Sequence, residues 1–221
     1  MSFVELFTIF FGVMLINNFI LSKFLGLCPF FGVSKNTKDA VSMGVAVIFV
    51  MIMASVATCA INWYFLMGHQ SNLLFQVFGG TDPSTFDMAF LKTIVYILVI
   101  AVLVQFVEMI IIKTSPALYR AMGIYLPLIT TNCAILGVAL LNDDFAKSSA
   151  SMEPTFLSYL VKSLVQGVGG GLGFTMAMLL MSGVRERLEY TPVPVPLRGI
   201  PIAFFSASIM SISFLGFTGM M

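Results

Sequence analysis

A chain of 221 residues that is 59% hydrophobic and 10% charged, with mean hydropathy +1.02, has too few polar side chains to cover a globular surface; soluble domains carry about 25% charged residues. It is expected to be an integral membrane protein. Its net charge of +1 excludes the basic footprint of a nucleic-acid binder.

The first residues, Met1-Ser2-Phe3-Val4-Glu5, lack the positive start of a signal peptide, so the first apolar segment is expected to remain as a span. A helical span needs about 20 apolar residues, and six segments qualify, near 3–33, 40–66, 88–112, 118–141, 156–182 and 199–219. All are expected to be helices, because lipid does not tolerate unpaired backbone. Pro201 suits the first turn of the sixth. The run Pro192-Val193-Pro194-Val195-Pro196 before it reads as an extended loop.

Basic residues set the orientation. Loops 1–2, 3–4 and 5–6 carry Lys35, Lys38, Lys113, Arg120, Arg185, Arg187 and Arg198. The opposite side has only Lys92, Lys147 and Lys162, beside Asp82, Asp87, Asp143, Asp144 and Glu153. The basic loops are expected inside and both termini outside.

Two cysteines share a context. Cys28 opens Cys28-Pro29-Phe30-Phe31-Gly32-Val33 and Cys133 opens Cys133-Ala134-Ile135-Leu136-Gly137-Val138. Both read Cys-x-x-x-Gly-Val, 105 positions apart (133 less 28). Cys28 falls on span 1 and Cys133 on span 4. If the match is a repeat, three spans per half give the halves opposite topology, related by a pseudo-two-fold axis in the membrane plane. The expected fold is then all-α: one membrane domain over 1–221, with six transmembrane helices as two inverted three-helix repeats, about 1–112 and 113–221. Span 1 contains Asn17, Asn18, Lys23, Gly26 and Pro29; span 4 contains Pro127, Thr130, Thr131 and Asn132. Such residues at depth point to spans 1 and 4 being broken or re-entrant around a central site; kinked, tilted helices are the alternative.

Two thiolates do not complete a four-ligand metal site, and the one histidine, His69, lies in loop 2–3. Cys28 and Cys133 therefore read as half a metal or cluster site whose other ligands come from a second subunit. Cys59, without a matching partner, reads as packing. Lys23, five residues before Cys28, could tune a cluster's potential or reach to the interface. Glu108, with Gln105 one turn earlier, is a candidate ion or proton ligand or an interfacial residue. Asn132, beside Cys133, is a further candidate ion or coupling residue. The glycines of 167–173 form two overlapping Gly-x-x-x-Gly patterns inside span 5, expected to serve close packing rather than phosphate binding.

Asn17-Asn18-Phe19, the stretch Phe24-Leu25-Gly26-Leu27-Cys28-Pro29-Phe30-Phe31-Gly32-Val33-Ser34, and Leu126-Pro127-Leu128-Ile129-Thr130-Thr131-Asn132-Cys133-Ala134-Ile135 together resemble the Rnf A/E and Nqr D/E family of membrane subunits. The Asn-Asn-Phe start and the Cys-Pro-Phe context favour the A branch, and the resemblance covers essentially the whole chain. It implies a subunit of a redox-driven ion pump coupling electron transfer between ferredoxin and NAD⁺ to Na⁺ or H⁺ translocation. It also implies that Cys28 and Cys133 hold the iron of half a [2Fe–2S] cluster shared with a homologous E-type subunit, while flavin and NAD bind to other subunits of the complex. The chain alone would have no complete active site. The implied location is a bacterial cytoplasmic membrane. The competing reading is a secondary transporter with inverted repeats and purely structural cysteines.

Overall fold

The computed structural model describes residues 3–63, 89–114, 128–129, 131–149, 156–192 and 194–217. Loop 64–88 with His69, and Arg120, Pro127, Thr130 and Glu153, lie outside the described residues. Every regular element among those described is helical. In chain order they are α1 (Phe3–Phe11), continued by one π-helical turn (Gly12–Ile16), α2 (Leu27–Val33), α3 (Thr37–Ile61), α4 (Ala89–Thr114), α5 (Cys133–Ser149), α6 (Phe156–Glu189) and α7 (Ile200–Leu215).

Among the described residues, three helices are long and apolar enough to cross a membrane: α3, α4 over Thr93–Ile110, and α6. The 34 residues of α6 extend for about 51 Å at a rise of about 1.5 Å each, well beyond the roughly 30 Å hydrocarbon core. The arginines 185 and 187, expected in loop 5–6, therefore sit on the last turns of this helix. Span 4, expected to end near 141, continues as helix to Ser149. Pro201 does occupy the first turn of α7. The proline run before it is not wholly extended: Val195–Leu197 closes one 3₁₀ turn. That turn needs only one donor, the Leu197 N–H, which bonds the Pro194 carbonyl at 3.0 Å, so prolines at 194 and 196 do not prevent it.

Helix α6 is the centre of the packing, and its glycines make it so. The 167/171 pair faces α3: a β-carbon at Gly171 would lie 3.0 Å from Ile48 Cα, and one at Gly167 2.6 Å from Ser55 Oγ. The 169/173 pair faces the first segment: a β-carbon there would lie 3.0 Å from the Phe10 carbonyl oxygen and 2.8 Å from that of Met14. The two overlapping patterns thus serve two different neighbours, as close backbone approach in lipid requires. Gly170 turns to a third side, toward Phe19 and Val138. The glycine contacts also set direction. Gly44 lies beside Thr175, Ile48 beside Gly171 and Ser55 beside Gly167, so α3 and α6 run antiparallel. Large apolar side chains of α4 and α7, such as Leu98, Phe106, Phe205 and Ile212, are exposed on the outer surface, where lipid is their natural solvent.

Candidate functional site

The first span is broken between Ile16 and Leu27, and Asn18 organises the break. Its Oδ1 accepts the backbone N–H groups of Ile20 (3.0 Å) and Leu21 (3.3 Å). Its Nδ2 donates to the carbonyls of Met14 (3.2 Å) and Gly173 (2.8 Å). A fully buried amide thereby satisfies backbone groups that the interrupted helix leaves unpaired. Ser211 of α7 does the same for the Leu21 carbonyl, at 2.7 Å. The chain then passes through two left-handed residues, Phe24 (φ 56°) and Gly26 (φ 80°), and continues in the same direction along α6. α2 starts at Leu27 and presents Cys28 in its first turn, with Pro29 tolerated there because first-turn N–H groups have no helical acceptor.

At the second break, Thr131 and Asn132 are non-helical and Cys133 is the first residue of α5. Asn132 is the N-cap: its Oδ1 accepts the Ala134 N–H at 3.0 Å. Its buried Nδ2 makes no hydrogen bond.

The two breaks touch. A β-carbon at Gly26 would lie 2.8 Å from Asn132 Oδ1 and 3.3 Å from Ala134 Cβ. A β-carbon at Gly137 would lie 2.7 Å from Leu25 Cδ1, and one at Gly32 3.9 Å from Leu128 Cδ1. Rising numbers on one segment meet falling numbers on the other, so the two cysteine segments pass antiparallel. Cys28 is two residues from Gly26, and Cys133 lies between Asn132 and Ala134, so the two cysteines flank one contact in the chain. Both are free and exposed, whereas the motif valines, Val33 and Val138, are each 1% exposed. The motif therefore buries its valine end and turns its sulfur end outward in both halves.

The other candidates are placed differently. Cys59 is fully buried against Tyr159, which is the packing role expected of it. Lys23 is exposed within the first break. Glu108 is half-buried on α4 next to Val107, which faces Val50 and Ala54 of α3 rather than either break. Two residues not singled out from the sequence shape the site. Arg185 Nη1 donates to the Phe31 carbonyl (2.8 Å) and to Ser34 Oγ (3.0 Å), closing the C-terminus of α2. Glu186 accepts the Thr37 N–H (3.0 Å) and hydroxyl, capping α3. Their sequence signal, a charged triplet at the end of an apolar run, reads only as a cue to orientation.

The family described as Rnf-Nqr subunit, membrane protein, matches residues 6–221. This chain belongs to the Rnf-Nqr family. It is 50% identical over 205 residues to the A subunit of the Na⁺-translocating ferredoxin:NAD⁺ oxidoreductase complex of Acetobacterium woodii, covering 93% of this chain and 92% of that one. It is 47% identical over 216 residues to the A subunit of the ion-translocating oxidoreductase complex of Serratia proteamaculans, covering 98% and 97%. The corresponding protein of Aliivibrio fischeri is 45% identical over 209 residues, covering 95% and 94%. The Rnf-Nqr match includes both breaks and both cysteine motifs.

Proposed function

We propose that this chain is the A-type membrane subunit of an ion-translocating ferredoxin:NAD⁺ oxidoreductase, and that Cys28 and Cys133 supply two of the four thiolates of an intramembrane [2Fe–2S] cluster. The observation that carries this is the pair of exposed, free cysteines bordering one contact between two helix breaks. A packing role suits Cys59, which is buried, and not these two. The residues fit half a cluster: both are thiols, the ligand type of iron–sulfur sites, and no group of three His, Cys, Asp or Glu side chains gathers among the described residues. The remaining two thiolates are assigned to a homologous E-type subunit docked on this face, with flavin and NAD held by other subunits. A bound cluster supplies one-electron transfer at membrane depth.

This chain's own residues do the positioning. Asn132 caps α5 and fixes Cys133 at its N-terminus, where the helix dipole favours negative charge. Asn18 and Ser211 pin the irregular segment before Cys28, and Arg185 pins the far end of α2, the helix that carries it. The antiparallel passage of the two motifs supports an inverted repeat of two three-helix halves within one domain. Leu25 meets Gly137, the counterpart of Gly32, while Gly32 lies beside Leu128, two residues before the counterpart of Leu25. A pseudo-two-fold axis generates such reciprocal pairs. We place six spans in a bacterial cytoplasmic membrane, with both termini outside by the distribution of Lys and Arg.

The test is electron paramagnetic resonance and iron analysis of the purified complex. Cys28→Ser and Cys133→Ser are each expected to remove one [2Fe–2S] signal and stop electron transfer through the membrane. Retention of the signal and of electron transfer in both assembled variants would overturn the assignment.

A further inference from the structure

Away from the cysteines, three helices bring together buried polar atoms that no protein group satisfies. Ser55 Oγ, Asn142 Oδ1 and Nδ2, and Gln166 Oε1 make no hydrogen bond, and their residues are at most 1% exposed. Buried polar groups in native proteins are almost always paired, and lipid makes an unpaired one costlier. Packing registers place the three side chains at one level. Helices α5 and α6 run antiparallel, with Asn132 and Phe174 meeting at Gly26 and Val138 lying beside Gly170. One turn further, Asn142 comes opposite Gln166. On α3, Ser55 lies against Gly167, and its carbonyl accepts the Ser163 hydroxyl at 3.5 Å; residues 163 and 167 flank Gln166 on α6.

We propose that Ser55, Asn142 and Gln166 form a binding site for a partly hydrated monovalent alkali cation. Amide and hydroxyl oxygens are hard, neutral ligands of the kind such ions take. Without a carboxylate among these three, a divalent ion would carry uncompensated charge into the bundle. Water completing the shell accepts from Asn142 Nδ2, which a bare ion cannot. Polar side chains continue from the site toward the C-terminal end of α3: Thr58 and Ser163 are buried, and Asn62 Nδ2 donates to the Tyr159 hydroxyl at 3.0 Å. In the other direction Cys133 lies nine residues down α5 from Asn142, about 14 Å at helical rise. At that range a change of charge at the cysteines is felt by the ion. The site deepens the reading of this chain as part of an ion pump and rests on it.

The experiment is equilibrium binding of radioactive Na⁺ to the purified complex against a choline background, with Li⁺ and K⁺ as competitors. It requires no electron transfer, so it can fail while the cysteine assignment stands, and the reverse. Asn142→Leu and Gln166→Met are expected to delete one Na⁺ per complex or weaken it at least about tenfold, with Ser55→Ala giving a smaller weakening. Unchanged stoichiometry and affinity in the assembled variants, or no Na⁺ bound by the wild type, would mean that the pocket holds water only and would overturn the site. If the two larger changes prevent assembly, Ser55→Ala decides by the same criterion.

Discussion

The break before Cys28 and the break before Cys133 deliver the same thing, an exposed thiol at the start of a helix, by different constructions. The first runs through residues 17–26, holds two left-handed residues, and is tied down by a buried asparagine with four hydrogen bonds and a serine of α7, while an arginine of α6 holds the far end of the helix that follows. The second, as described, consists of Thr131 and Asn132, and its cap rests on one side-chain bond. A long irregular segment must pair many backbone groups, so it recruits partners from distant helices. The Cys28 side is thus anchored by contacts with distant helices, and on the Cys133 side Asn132 adds a local cap.

The largest effect is expected at the place where the two breaks touch. Gly26→Ala puts a β-carbon into a left-handed position and against Asn132 and Phe174, at a combined cost of about 2–4 kcal/mol. Thermal unfolding of the purified complex measures it. A loss below about 1 kcal/mol would mean that the breaks are not held together there.

The next contrast separates the two anchors. Asn18→Ala leaves the Ile20 and Leu21 N–H groups and the Gly173 carbonyl without their partner, and about 2–4 kcal/mol is expected. Asn132→Ala removes one cap bond together with an amide nitrogen that was unpaired, so the loss is about 1 kcal/mol or less. Equal losses in unfolding midpoint would erase the distinction between tertiary and local anchoring.

Arg185→Met keeps the apolar stem but removes both hydrogen bonds to the end of α2, and a destabilisation of about 1–3 kcal/mol is expected. It should act on the Cys28 side alone. Thiol labelling of the purified subunit should show faster modification of Cys28 with Cys133 unchanged; equal acceleration at both would contradict that. The smallest effect belongs to Phe24→Gly. Relief of the left-handed strain, about 1–2 kcal/mol, is largely offset by glycine's extra freedom in the unfolded chain, up to about 1 kcal/mol. A gain of about 1 kcal/mol or less in unfolding free energy is expected, and a clear loss would show that the exposed Phe24 ring is held by a partner.

Much of this is legible in the order of residues. Asparagine, glycine and proline inside apolar runs mark both interruptions, because each weakens a helix by a known local mechanism. The matched Cys-x-x-x-Gly-Val motifs mark the thiols, and the unmatched Cys59 is separable from them. The glycine run of span 5 reads as packing, though not as packing on two faces toward two helices. In the sequence Arg185 is one basic charge among several, and its work on Phe31 and Ser34 depends on partners 154 and 151 positions away. The proline run reads as extended because proline lacks a donor, yet one leucine N–H suffices for a turn.

The sequence by itself determined what lipid and local chemistry dictate: a helical membrane chain, its two irregular points, and which two cysteines share one motif. Only the tertiary structure decided which residues meet. The antiparallel passage of the two breaks, and the gathering of Ser55, Asn142 and Gln166 at one level, follow from registers between helices. Those registers are set by where glycines let backbones approach, and local sequence does not encode the partner of each glycine.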